Sequence, residues 1–387
     1  MERARGLGTQ VIGVVVIPRL YRERWCGSGG VGAGRASPRA TRDQRPLDLI
    51  RIQPLPVSVV CSGLRDMRGP RAYGRGEMTG PRAAIGGGNF GGAGSPSALI
   101  GAGLDESGAH AALDDAERLG IAVVDTAFSY AAGASQRMIG SWLAAEPDRV
   151  NRTTVIDKVG VVERDGELRL DLHFDSVLTH AATGRARLGV DAVDVVMAHA
   201  PDPEVPVVET LKGFRSLMSD GLAGGWGVSN VDAATLTEWM KTAHRMDLPS
   251  PQFVENEYNL IQREVEDSVL PICRDQGVGF LAYSPSAGGL LTGKYRRGEA
   301  APEGSMMALR PDVAVEFDDR ADYLITTVSN IAAHRGVSNV AIAFAWLLAQ
   351  PDVTPIAGPS KPHHMEAIDQ ALNLELSDNE LAQLSSS

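Results

Sequence analysis

Ile121–Tyr130 reads IAVVDTAFSY, and its grammar decides the fold. β-Branched Val123 and Val124 belong to a short apolar run that stops at a carboxylate, Asp125. Tyr130 follows five residues later among small and polar neighbours. This is the pattern of a buried strand with an acid at its C-terminal tip and a tyrosine on the loop beyond. The pattern recurs. Thr153–Lys158 (TTVIDK) ends on a lysine, and Val193–His199 (VDVVMAH) ends on a histidine. Three successive strand tips thus deliver Asp, Tyr, Lys and His, the materials of a proton-transfer site.

Working outward, strands and helices alternate. The first strand, Ala83–Ile85, runs into a glycine-rich loop, Gly86–Gly92. Helical spacing covers Glu106–Leu119, with Ala109, Ala112, Leu113 and Ala116 on one face and Gly120 as the stop. Further helices are expected over Ser135–Ala145, Phe174–Leu188, Val207–Ser219, Ala233–Arg245 (capped by Asp232), Glu264–Gln276, Asp319–His334 and Ser338–Ala349. The remaining strands are Ala223–Val228, Gln252–Val254, Val278–Tyr283 and Val353–Ala357. Eight strands alternating with helices, and no dinucleotide fingerprint after the first, predict a closed (β/α)8 TIM barrel. In such barrels the chemistry sits at the C-terminal ends of the strands. Asp125, Lys158 and His199 should therefore meet at one mouth, with Tyr130 above them.

The 387 residues carry a formal net charge of −11. That balance argues against nucleic acid as a partner. No apolar run reaches the roughly 20 residues of a membrane helix. Cys26, Cys61 and Cys273 show neither paired nor metal-binding spacing, so a cytoplasmic location is the default and no metal is expected. Charge is unevenly spread. Residues 1–77 hold 14 Arg, no Lys and 6 acidic residues, about +8, which leaves about −19 for the rest. This Gly- and Pro-rich leader shows no sustained period, and its apolar run Val11–Ile17 is too short for a good secretory signal. A transit peptide is one reading. The preferred one is a misplaced start, with translation beginning at Met78 and a barrel over residues 78–387. Either way, low order is expected for 1–77.

The chemistry needs these residue types together. A free tyrosine, with a pKa near 10, is a poor proton donor or acceptor near neutrality. An adjacent ammonium favours phenolate and lowers that value; a carboxylate keeps the ammonium charged. Asp125, Tyr130 and Lys158 supply such a unit, and His199 can hold a carbonyl oxygen in line. None of them carries a hydride, so a nicotinamide must lie alongside. Singly, each residue is more often structural: a solvated strand end, a packing tyrosine or a hydrogen-bonding histidine. The coincidence on consecutive strands is what argues for a site.

Several motifs in order resemble the aldo-keto reductases over Ala83 to about Leu376. They are DTAFSY (Asp125–Tyr130), the strand end at Lys158, VVMAHAPDP (Val195–Pro203), GWGVSN (Gly225–Asn230), Gln252 with ENEYN (Glu255–Asn259), and AYSPSAGGLLTGKY (Ala282–Tyr295). MAHAPDP and SAGGLLTGKY are most similar to the branch of the aflatoxin-aldehyde reductases and the potassium-channel β-subunit relatives. The resemblance implies Tyr130 as general acid/base, Lys158 and Asp125 as its tuners, and His199 as the orienter of the carbonyl. It implies that Ser229, Asn230 and Gln252 bind the nicotinamide carboxamide and that Tyr283 stacks on the ring. Ser284, Gly289, Leu291 and Lys294 would hold the pyrophosphate.

The adenosine end departs from the family pattern. Its usual run of Gly, Arg, Pro, Gln and Asn reads here Gly358, Ser360, Pro362, His364 and Ile368. Lys361 can meet a 2′-phosphate as a point charge, without the bidentate fork of arginine, so NADP(H) is favoured over NAD(H) only by this lysine. The barrel-floor hairpin usual in the family has no convincing counterpart in the leader or in Met78–Arg82. The function implied is NAD(P)H-dependent reduction of an aldehyde or ketone, with a small-molecule carbonyl substrate. The rivals are an NAD-linked sugar or alcohol dehydrogenase and a cofactor-binding regulatory subunit with vestigial activity. Neither the substrate nor the oligomeric state is legible. The loops 161–171 and 298–318 that would set the substrate show no readable pattern.

Overall fold

A computed structural model describes residues 82–311 and 317–386, together with two short antiparallel strands, Gln10–Ile12 and Val15–Ile17. Beyond those strands, the expectations for residues 1–77 and for a start at Met78 fall outside the described residues.

Eight parallel strands close into a barrel in chain order. They are β1 (Ala84–Gly86), β2 (Val123–Ala127), β3 (Thr154–Val159), β4 (Val193–Ala198), β5 (Ala223–Ser229), β6 (Phe253–Glu257), β7 (Gly279–Tyr283) and β8 (Val353–Ala357). All eight fall where the alternation of apolar runs places them. Closure is completed by β8 against β1 through only Ile356 opposite Ala84 and Ala357 opposite Ile85.

The barrel is solid because each strand is buried on both faces, which is why these strands read as continuous apolar runs. One set of alternating residues fills the interior: Ala84, Val123, Ile156, Val195, Met197, Phe253, Leu281, Tyr283 and Ile356. The other set faces outward onto helices. Trp226 on β5, for instance, stacks against Phe214 at 6.0 Å and Trp239 at 6.2 Å. Burying an aromatic of this size contributes on the order of 2–3 kcal/mol.

The outer ring comprises α1 (Glu106–Arg118), α2 (Ala134–Ala145), α3 (Phe174–Leu188), α4 (Val207–Ser219), α5 (Ala233–Arg245), α6 (Val269–Gln276), α7 (Asp319–Arg335) and α8 (Asn339–Leu348), followed by α9 (His364–Leu372) and α10 (Asp378–Ser385). Asp232 caps α5 by accepting from the Thr235 amide at 2.7 Å, as its position predicts. Gly277 ends α6 in the left-handed region. α6 is shorter than its periodicity suggests. It starts at Val269 rather than Glu264, because Pro271 lacks an amide proton and is tolerated only in a first turn. No single helix among the described residues is long and apolar enough to cross a membrane.

The loop after β3 is not featureless. Val161–Arg164 pairs antiparallel with Glu167–Leu170 across Asp165-Gly166, whose φ values of 55° and 78° are those of a tight primed turn. Asp-Gly between alternating residues is a strong hairpin signal, and sequence reading passed over it. Glu163 on this hairpin accepts from the Ser97 hydroxyl at 2.8 Å and the Ser97 amide at 2.9 Å. The hairpin is thereby latched to the loop after β1.

Candidate active site

Strand periodicity puts the chemistry one layer above the apolar interior. Two residues beyond Val123, Ile156, Met197 and Phe253 stand Asp125, Lys158, His199 and Glu255, all facing the same way by the two-residue repeat of a strand. Lys158 is 1% exposed, and Asp125, Tyr130 and Glu255 are each 3% exposed. Lys158 Nζ donates to Asp125 Oδ1. It also donates to Glu255, with Oε1 at 3.0 Å and Oε2 at 3.3 Å. Tyr130 is the third neighbour of the ammonium, which lies 5.2 Å from the centre of its ring. The Tyr130 and His199 rings meet edge to face at 5.5 Å.

The turn that presents Tyr130 is strained. Ala131 and Ala132 adopt φ of 45° and 51°, which non-glycine residues enter at a cost of roughly 1–2 kcal/mol each. The Ala131 amide is held by the Gly94 carbonyl at 2.9 Å, and Ser129 by Ser95 at 2.8 Å. Loop 1 and the β2 loop therefore over-determine the tyrosine's position.

The electrostatics correct one expectation. Sequence reasoning has the ammonium acidify the phenol. In the structure burial pushes the Tyr130 hydroxyl up, and the Lys158 charge opposes this without prevailing, because Asp125 and Glu255 add to the upward push. Burial also works against the Lys158 charge, but Asp125 and Glu255 hold it well above an ordinary lysine. Asp125 is itself raised well above the carboxylate range by burial and by the facing Glu255. Two carboxyls thus share one ammonium. His199 is kept neutral by burial and by the nearby Lys158 charge. Neither of its ring nitrogens has a hydrogen-bond partner among the described residues.

The residues expected to hold a cofactor divide. Ser229 and Asn230 end β5 beside the cluster. The Asn230 amide, however, is engaged: Nδ2 donates to the His199 carbonyl at 2.8 Å and to Ser229 Oγ at 3.0 Å, while Oδ1 accepts from Tyr283 at 2.6 Å. Tyr283 is buried, with its ring in the inner layer. Gln252 is not brought to this mouth. It precedes β6 at the N-terminal end of the barrel, its backbone amide donates to the Trp226 carbonyl at 2.8 Å, and its side chain occupies the space that a Cβ on Gly225 would need. The residue of β6 that does reach the site is Glu255, three positions on, or about 10 Å along a strand.

In the loop after β7 the Gly289 and Leu291 amides are spent on the Ser286 carbonyl, at 3.0 and 3.1 Å, and Leu291 is fully buried. Ser284, at φ 54°, hydrogen-bonds the Glu257 carboxyl, which burial and Glu264 push up to about 8. Lys294 sits against Gly289, where a Cβ would come 3.2 Å from its Nζ. Beyond β8, Gly358 O accepts from Asn89 at 3.0 Å, and the Ser360 amide donates to His364 Nδ1 at 3.3 Å. Burial and the positive neighbours His363, Lys294 and Lys361 bring His364 down to about 4. The loops after β7 and β8 therefore join Lys294 and Lys361 in one cationic corner around a neutral His364. Ile368 lies in the core, at 4% exposure, and faces no ligand.

Residues 84–387 match the sequence model of the Aldo/keto reductase family. The chain belongs to the aldo-keto reductases. A probable voltage-gated potassium channel subunit β of Oryza sativa subsp. japonica is 32% identical over 275 residues, 69% of this chain and 83% of that protein. The NADH-specific methylglyoxal reductase of Escherichia coli K12 is 29% identical over 282 residues, 68% of this chain and 82% of that protein. Among solved structures, the glycerol dehydrogenase of Gluconobacter oxydans superposes with a TM-score of 0.66 at 25% identity, covering 79% of this chain and 90% of that one. This aldo-keto reductase thus shares its barrel with oxidoreductases and its sequence with the branch that includes channel β-subunit relatives.

Proposed function

We propose that the chain reduces an aldehyde or ketone to an alcohol with NAD(P)H, using Tyr130 as the general acid/base. The carrying observation is the buried Tyr130–Lys158–Asp125 cluster next to a neutral His199 whose ring nitrogens are both unpartnered. A buried imidazole with open hydrogen-bonding capacity is costly and is relieved by a ligand oxygen placed between it and the phenol. Tyr130, held neutral, gives its proton to the carbonyl oxygen as that atom gains charge. A reduced nicotinamide, when bound, supplies the hydride that these side chains lack.

The cationic corner of Lys294 and Lys361 around neutral His364, with space preserved by Gly289, fits the phosphates of such a cofactor. Lys361 favours NADP(H), while the name of the Escherichia coli relative keeps NAD(H) in view. A second reading, net oxidation of an alcohol, draws on the glycerol dehydrogenase neighbour. A purely regulatory role, as the channel-subunit relatives suggest, is disfavoured by the complete cluster. Fluorescence titration with NADPH and NADH, followed by turnover on a panel of aldehydes, tests the proposal. Binding of neither coenzyme defeats it.

A further inference from the structure

Lys158 Nζ donates to two carboxyl groups, Asp125 Oδ1 and the Glu255 carboxylate, and lies 5.2 Å from the centre of the Tyr130 ring. Only Asp125 and Tyr130 belong to the unit expected from the sequence. Glu255 engages the ammonium with both oxygens, at 3.0 and 3.3 Å, from a strand on the far side of β4 and β5 in the barrel order. All four groups are almost completely withdrawn from water, so their fields are little screened. Glu255 takes the ammonium with both oxygens and Asp125 shares it, so the one positive charge is already engaged and the cluster opposes a further negative charge on Tyr130.

We propose that Glu255 is a positioning residue for proton delivery: by claiming the Lys158 ammonium together with Asp125, it keeps the Tyr130 hydroxyl protonated and biases the site toward carbonyl reduction. The inference rests on the reductase reading above. In the reducing direction the phenol O–H bond breaks, a new O–H bond forms on the former carbonyl oxygen, and the electron pair for the carbon comes from the reduced nicotinamide. Solvent then returns a proton to the phenolate. The oxidising direction needs Tyr130 to begin as phenolate, the state that a doubly subscribed ammonium disfavours. The direction of the Tyr130 shift agrees with this arrangement.

The charged and titratable groups facing the phenol are Asp125 from β2, Lys158 from β3, His199 from β4 and Glu255 from β6. β5 offers neutral Ser229 and Asn230, and β7 offers Tyr283. Asp157, the next residue along β3, faces away onto Gln136. Glu255 is therefore the one negative group whose neutralisation leaves the Asp125–Lys158 contact in place.

The test is the pH profile of kcat/KM for aldehyde reduction in wild type, Glu255→Gln and Glu255→Asp, together with the ratio of oxidation to reduction near neutrality. In wild type the reductive profile should stay flat to alkaline pH. In Glu255→Gln a basic limb should enter the accessible range, and the oxidation-to-reduction ratio should rise on the order of tenfold for each unit the limb moves. Glu255→Asp, which keeps the charge but retracts it, should move the limb the same way by less, and it serves if Glu255→Gln does not fold. A Glu255→Gln enzyme that turns over with the wild-type profile and ratio overturns the inference while leaving the reductase intact. If wild type turns over no carbonyl, the reductase reading fails instead. The ultraviolet phenolate titration of Tyr130, taken as the difference from Tyr130→Phe in each background, still decides the Glu255 question: an unmoved titration sinks it.

Discussion

Asp157 Oδ1 accepts a hydrogen bond from Gln136 Nε2 at 2.7 Å, in the core between β3 and α2, one residue from the lysine at the centre of the site. The contact is tight enough to exclude any side chain at Gly184, where a Cβ would come 2.0 Å from the other carboxylate oxygen. Burial pushes Asp157 up to about 7, against the Gln136 hydrogen bond and the Lys158 and Arg187 charges. A carboxyl raised in the fold binds more protons folded than unfolded between pH 4 and 7, so its contribution to stability is present at acid pH and is lost as pH rises through about 7. At roughly 1.4 kcal/mol per unit, the total is a few kcal/mol. Asp157→Asn, which keeps an acceptor for Gln136, should flatten the denaturation midpoint across this window and exceed wild type at pH 8. A variant that tracks wild type through the window would show that Asp157 does not titrate there.

Tyr130→Phe should lower carbonyl turnover by about 10²–10⁴ with coenzyme binding largely retained. Steady-state rates and coenzyme fluorescence separate the two effects. Near-full turnover would remove Tyr130 from its assigned role.

Lys158→Met leaves Asp125 and Glu255 buried against each other with no cation between them. Breaking a buried pair from one side costs about 3–5 kcal/mol, so the chemical denaturation midpoint should fall steeply near neutral pH. The loss should deepen as pH rises and Asp125, raised well above the carboxylate range, gives up its proton beside Glu255. Loss of activity with unchanged stability would mean that the ammonium does not hold the cluster together.

In the cationic corner, Lys361 is exposed and presents a point charge beside His364. Lys361→Ala should weaken NADPH binding about tenfold, roughly one charge-assisted contact, and NADH much less. Fluorescence titration with both coenzymes checks it. Equal losses would place Lys361 away from a 2′-phosphate.

Much of this was legible in the sequence, for a specific reason. Barrel strands are short apolar runs with an abrupt polar end, so Asp125, Lys158 and His199 could be placed by where the apolar run stops. Glu255 escaped because only two apolar residues, Phe253 and Val254, precede it and it opens a polar run, Glu255-Asn256-Glu257. The signal was parity: it stands two residues beyond Phe253, an inner-layer side chain, and so had to face the axis. Gln252 was misplaced by the same neglect, being assigned by residue type with no count along the strand to the mouth. The Tyr130 direction differed because pairwise reasoning left out the burial of the phenol itself and, after it, the second carboxylate, which only three-dimensional closure of the barrel brings from β6 to β3. Leu291 was judged by position in a motif, whereas the core claims it.

The ring of strands is joined through two residue pairs where its end meets its beginning, against five between β2 and β3. Tension applied upstream of Ala84 will therefore load a zipper two teeth long before it reaches any other seam. The mouth would then lose its shape from the side of Asn89 and Gly358, a polar stitch drawn across that join at 3.0 Å.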